Sequence, residues 1–149
     1  MIIVERNSPH DPQATALLHR SHELMRALFP PEDNFFLDID QLAAQNIRFF
    51  TAREGNIVLG TAALKVFGDY GEIKSMFVAD EARGRGVGDA LLRQVIDEAR
   101  TLGLPVLRLE TGNLLEAAHR LYRRHGFVEC GVFGAYHAAP SSLFMELPL

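Results

Sequence analysis

Residues 83 to 88 read Arg-Gly-Arg-Gly-Val-Gly, and an apolar stripe begins at once behind them. Val87, Leu91, Leu92, Val95, Ile96 and Ala99 recur at helical spacing, so the glycines stand at a helix start. The first N–H groups of a helix lack intrahelical partners, and the helix dipole adds partial positive charge there. Glycine costs stability inside an element, but at this point it removes side chains that would keep an anion from the backbone. Arg83 and Arg85 would add charge-assisted donors. Arg83, Gly84, Arg85, Gly86, Val87 and Gly88 therefore read together as a diphosphate site. A bare turn needs one or two glycines and no flanking arginines. No Lys-Ser or Lys-Thr follows, so the GxxxxGKS/T loop is absent, and the last glycine spacing differs from GxGxxG.

The elements that must hold this loop can be read around it. MIIVER opens as a short strand. Asp11-Pro12 starts a helix with an apolar face of Leu17, Leu18, Leu24, Met25 and Leu28, and Pro30-Pro31 stops it. Phe35–Gln45 holds a loop and a second short helix. IRFFTARE and IVLGTAALKVFG, parted by Gly55-Asn56, form a hairpin, and EIKSMFV adds a third strand. Beyond the glycine loop and its helix, Gly103 and Pro105 precede a buried strand, VLRLET. LLEAAHRLYRRHG is a helix closed by Gly126; FVECGVFGAY and SSLFMELP are two final strands. The strand–helix–strand unit from Glu72 to Glu110 makes its two strands parallel, and the rest pair mostly antiparallel. The expected fold is α/β (α+β), one domain over residues 1–149, with a mixed central sheet and helices on its faces. SSLFMELP is expected at the sheet edge, where it could pair with a second copy as a homodimer.

Composition narrows the function classes. A 149-residue chain that is 48% hydrophobic buries a core without a metal or disulfide staple. Its net charge of −4 argues against a general nucleic-acid binder. The single cysteine, Cys130, forms no internal disulfide and reads as a buried thiol. MIIVER meets Glu5 too early for a signal-peptide core, and no apolar run approaches ~20 residues, so the expectation is a cytoplasmic protein without a membrane span. The six histidines show no metal-ligand spacing; His19 and His22 lie i, i+3 on a helix and read as a solvated face. No metal is expected.

Arg83-Gly84-Arg85-Gly86-Val87-Gly88 resembles the Q/R-x-x-G-x-G/A signature of the GNAT superfamily of N-acetyltransferases. The preceding strand ending Met76-Phe77-Val78, the amphipathic helix that follows, and Ala118-x-x-Leu121-Tyr122-x-x-x-Gly126-Phe127 are similar to that family in spacing. The resemblance covers about Ile47 to Leu149. It implies a GNAT fold of six to seven strands, with a splayed parallel strand pair that binds acetyl-CoA (coenzyme A). The loop amides would hold the diphosphate. The backbone of Met76, Phe77 and Val78 would bond the pantetheine arm like an added strand. Many relatives carry an asparagine seven residues before the Leu-Tyr tyrosine, and here Leu115 stands there.

The implied reaction is attack of a primary amine, on a small molecule or a peptide, on the acetyl thioester. An alkylamine of pKa ~10.4 is almost wholly protonated at neutral pH and must lose a proton. The departing sulfur must gain one. The resemblance points to Tyr122 as that donor. Glu72, opening its strand, and Glu110, ending VLRLET, are rival bases. The acceptor is expected between the first two helices, the Phe29–Phe36 loop and the final strands. An acyl-CoA sensor of the same fold without turnover is the alternative, which intact Tyr122 and Glu72 disfavour.

Overall fold

The computed structural model describes residues 1–149 and places seven strands in one sheet. They are β1 (Ile3–Arg6), β2 (Ile47–Glu54), β3 (Ile57–Val66), β4 (Gly71–Val78), β5 (Val106–Gly112), β6 (Val128–Glu129) and β7 (Ser142–Pro148). Their spatial order is β1-β2-β3-β4-β5-β7-β6. Helices α1 (Pro12–Leu28), α2 (Ile39–Leu42), α3 (Val87–Thr101) and α4 (Glu116–Arg124) connect them. The Asp11 side chain accepts from the Ala14 N–H, and Pro12 opens α1 as expected.

Adjacent residues of a strand point to opposite faces, and β2 shows what this does for the core. Phe49 packs with Leu18 and Leu42 on the side covered by α1 and α2. Phe50 packs with Leu91, Leu92 and Val95 on the side covered by α3. Helices thus cover both faces of a mixed α/β sheet. Gly103 and Gly126, at φ +74° and +95°, end α3 and α4.

The α3 crossover makes β4 and β5 parallel, but their pairing is short. Only Gly71–Leu107, Glu72–Arg108 and Ile73–Leu109 are in register. Beyond them β4 stays with β3 to Val78, and β5 stays with β7 to Gly112, so the two strands part. On β4, Ser75 pairs with Ala63 and Ile73 with Leu64, which leaves Lys74 as an extra residue. Such a bulge bends and twists its strand. Here it falls where the parallel pair opens.

Three expectations need correction. FVECGVFGAY is not one strand, because only Val128–Glu129 pairs. Gly134 turns the chain at φ +58°, and Phe133 and Tyr136 fold into an aromatic cluster with Phe144. SSLFMELP is not an edge strand: β7 pairs with β5 along its length and with β6 on its other side. The edges are β1 and β6. His22 does not lie on a solvated face; it is buried and stacked on Phe36 at 4.2 Å. No helix is long and apolar enough to cross a membrane.

Candidate active site

A single turn, Asp80–Ala82, leads from β4 into the glycine loop. Gly84 and Gly86 adopt φ of +78° and +81°, and Gly86 is the N-cap of α3. Only glycine enters this region without strain. A Cβ at either position would meet nothing within 4 Å, so the loop opens on free space at the N-cap of α3. Gly88 has another purpose, because its Cβ would lie 3.2 Å from Leu121 Cδ2. It lets α4 press against α3. Val87 sends its side chain into the core, so it can offer a ligand only its backbone. Arg83 pairs with Asp80 at 3.3 Å and Arg85 pairs with Glu54; both arginines are exposed. Met76, Phe77 and Val78 are half-buried against the core.

A cavity of about 120 Å³ lies where β4 and β5 part. Ile73 to Met76 form one wall, and Glu110, Thr111 and Gly112 the other. α1 and the Phe29–Leu37 segment cover it, and Leu115, Ala118 and Tyr122 of the α4 region complete it. Phe29 is held over Gly112, where any Cβ would clash with the ring. His119 Nε2–H donates to the Gly112 carbonyl at 2.8 Å and ties α4 to the end of β5.

Glu110 and Tyr122 line this cavity together. Burial raises the Glu110 pKa above the usual carboxylate value; the Ser142 hydroxyl, donating at 2.9 Å, and the Lys74 charge oppose the rise, while Glu72 and Asp33 add to it. Tyr122 is only 5% exposed. Burial first, and the Glu110 charge second, push its phenol well above the ordinary value. The phenol stays protonated at any physiological pH.

Glu72 sits elsewhere. It is 3% exposed and does not pair with Lys65, its neighbour across the sheet, whose ammonium lies over Phe67. The Tyr136 hydroxyl donates to Glu72, and Lys74 lies 3.3 Å from the same carboxylate. Lys74 Nζ also donates to the Tyr136 hydroxyl oxygen at 2.7 Å and to the Phe35 carbonyl at 3.2 Å. Burial, then the Glu72 charge, push the Tyr136 phenol far up. Sequence reasoning missed Lys74, Tyr136 and Ser142. Lys74, two residues from Glu72 in the same strand, was the only signal. Tyr136 and Ser142 gave none, because their partners are distant in the chain.

Residues 15–127 match the profile of the acetyltransferase (GNAT) family. An IAA acetyltransferase of Azospirillum brasilense is 41% identical over 150 residues, covering 99% of this chain and 98% of its own. A solved structure from Klebsiella pneumoniae, provisionally assigned as an acyl-CoA N-acyltransferase, superposes with a TM-score of 0.87 at 29% identity, covering 100% of this chain and 98% of that one. The PaiA N-acetyltransferase of Thermoplasma acidophilum, solved with coenzyme A, superposes with a TM-score of 0.76 over 100% of this chain and 99% of its own. At 15% identity that likeness concerns the fold alone. The chain belongs to the GNAT acetyltransferase family and is, by that membership, an acyltransferase.

Proposed function

We propose that the protein moves the acetyl group of acetyl-CoA to a primary amine of a small molecule or peptide. One observation carries this reading. The parallel strands part after three residue pairs, and a cavity holding both a proton acceptor and a proton donor opens at that point. The residues fit the coenzyme. The β4 edge at Met76–Val78 has no β5 neighbour and can accept a pantetheine amide as an added strand. The loop meets open space at Gly84 and Gly86, at a helix start, so the amides from Gly84 to Gly88 suit a diphosphate, with Arg83 and Arg85 alongside. Acetyl-CoA as donor implies a cytoplasmic workplace.

When bound, the coenzyme supplies an acetyl group activated as a thioester. Glu110 receives the proton of the acceptor amine at its carboxylate, and its raised pKa brings it closer to the working pH of a base. Glu72 is the weaker candidate, because Lys74 and Tyr136 already engage its carboxylate. Tyr122 keeps its phenolic proton and offers it to the departing sulfur. A new C–N bond forms and the C–S bond breaks; starting from the ammonium, nitrogen gives up two protons, one to Glu110 before attack and one afterwards that restores the Tyr122 phenol once its own proton has gone to sulfur. The aromatic cover of Phe29, Phe35 and Phe36 excludes water from the thioester.

Calorimetric titration with acetyl-CoA, controlled with desulfo-CoA and ATP, tests the binding half. Thiol release against an amine panel tests the chemistry. Binding with amine-dependent release is the expected result. Absence of binding sinks the reading, and binding without release from any amine leaves a sensor in its place.

A further inference from the structure

We infer that the acceptor is a small amine with an apolar body and no carboxylate, so that an amine is taken and its parent amino acid refused. The inference rests on the acetyltransferase reading above and narrows it. The cavity, at about 120 Å³, lies below the ~300 Å³ where sites for drug-sized ligands begin. Met25, Phe29, Phe35, Phe36 and Leu115 give it an apolar lining suited to a hydrocarbon or aryl body.

Its charges decide the rest. Two carboxylates, Asp33 and Glu110, line it. Each receives one hydroxyl donor, from Ser141 at 2.8 Å and Ser142 at 2.9 Å, which leaves lone pairs to meet an ammonium. The cation of the lining, Lys74, is spent. Lys74 donates to Tyr136 and the Phe35 carbonyl, and its charge is paired with Glu72 at 3.3 Å. The other basic group of the lining, His22, is disfavoured as a cation: burial lowers its pKa, the Arg26 and His19 charges lower it further, and the Asp38 charge opposes them in part. Neither basic group of the lining is free to neutralise an incoming carboxylate; the nearest other cation, Arg26, lies outside the lining, over the Phe36 ring at 5.4 Å. An amino acid would bring a further negative charge beside two others.

The experiment uses the full chain, saturating acetyl-CoA and thiol release at neutral pH. Matched acceptors are compared: phenethylamine with phenylalanine, tyramine with tyrosine, and isoamylamine with leucine. Each amine is expected to exceed its amino acid by about tenfold or more in kcat/KM. Calorimetric titration of phenethylamine and phenylalanine into the free protein should give the same order. Asp33→Asn should narrow the ratio, and an unchanged ratio would remove the charge explanation. Ratios near one or reversed, or no turnover of any of the six by protein that binds acetyl-CoA, overturn the inference. Calorimetry with acetyl-CoA keeps the two readings apart. Lack of coenzyme binding defeats the acetyltransferase reading itself, whereas binding without the amine preference defeats only the acceptor class.

Discussion

In the proposed reaction Glu110 and Tyr122 have opposite tasks, and burial prepares both. Desolvation disfavours the charged form of each, so the carboxylate becomes a better base and the phenol a secure acid. Glu110→Gln should lower kcat by about 10²–10⁴-fold. In the parent protein the acid limb of the kcat/KM profile should lie above the ordinary glutamate pKa, since Glu110 must be ionised to act; the variant should lose that limb. The same shift predicts a stability effect. Because the folded pKa is raised, the contribution of Glu110 to stability is present below the unfolded value and is lost as pH rises through the folded one. Glu110→Gln should therefore melt higher than the parent at neutral pH, and the gap should close under acid, as thermal scans at several pH values would show. Tyr122→Phe keeps the ring against Phe127 and should retain coenzyme affinity while kcat falls by about 10²-fold or more.

Among the elements, the α3 start and the centre of the sheet make contrasting predictions. Gly86→Ala would force a side chain into the left-handed region at the α3 N-cap, costing about 1–2 kcal/mol. Denaturant melts should show that loss, and calorimetry should show weakened acetyl-CoA binding. Arg83→Ala with Arg85→Ala should weaken binding too, yet hardly change stability, because exposed ion pairs are worth little. In β3, the Thr61 hydroxyl is buried without a hydrogen-bond partner. Thr61→Val removes that unmet group at nearly constant shape and should stabilise the protein by about 1 kcal/mol in urea unfolding.

For the whole molecule, the coenzyme would draw on both arms of the parted strands and on α3 at once, so binding should couple to global stability. At about 100 times Kd, acetyl-CoA should add ~2.7 kcal/mol, equivalent to a Tm rise of about 5–10 °C. A melt that ignores acetyl-CoA would speak against the coenzyme site as a unit. Assembly by addition to an outer edge of the sheet would use β1 or β6, since β7 lies between β5 and β6.

The sequence by itself determined what local chemistry governs. Asp11-Pro12 set the start of α1, Gly55-Asn56 set the first hairpin, and Gly84 and Gly86 set the turn into α3, because each acts within a few residues. The parallel β4–β5 pair followed from handedness once α3 lay between two strands. The tertiary structure alone decided the rest. Which glutamate faces the cavity depends on the Lys74 bulge and on where β4 leaves β5, and neither has a local marker. Lys74 and Tyr136 meet across 62 residues of chain. The segment after β6 is β-prone in composition, yet Phe133 and Tyr136 pack on Phe144 and the chain turns away from the strand. The position of β7 was likewise hidden, since order in a sheet reflects long-range pairing that no single strand encodes.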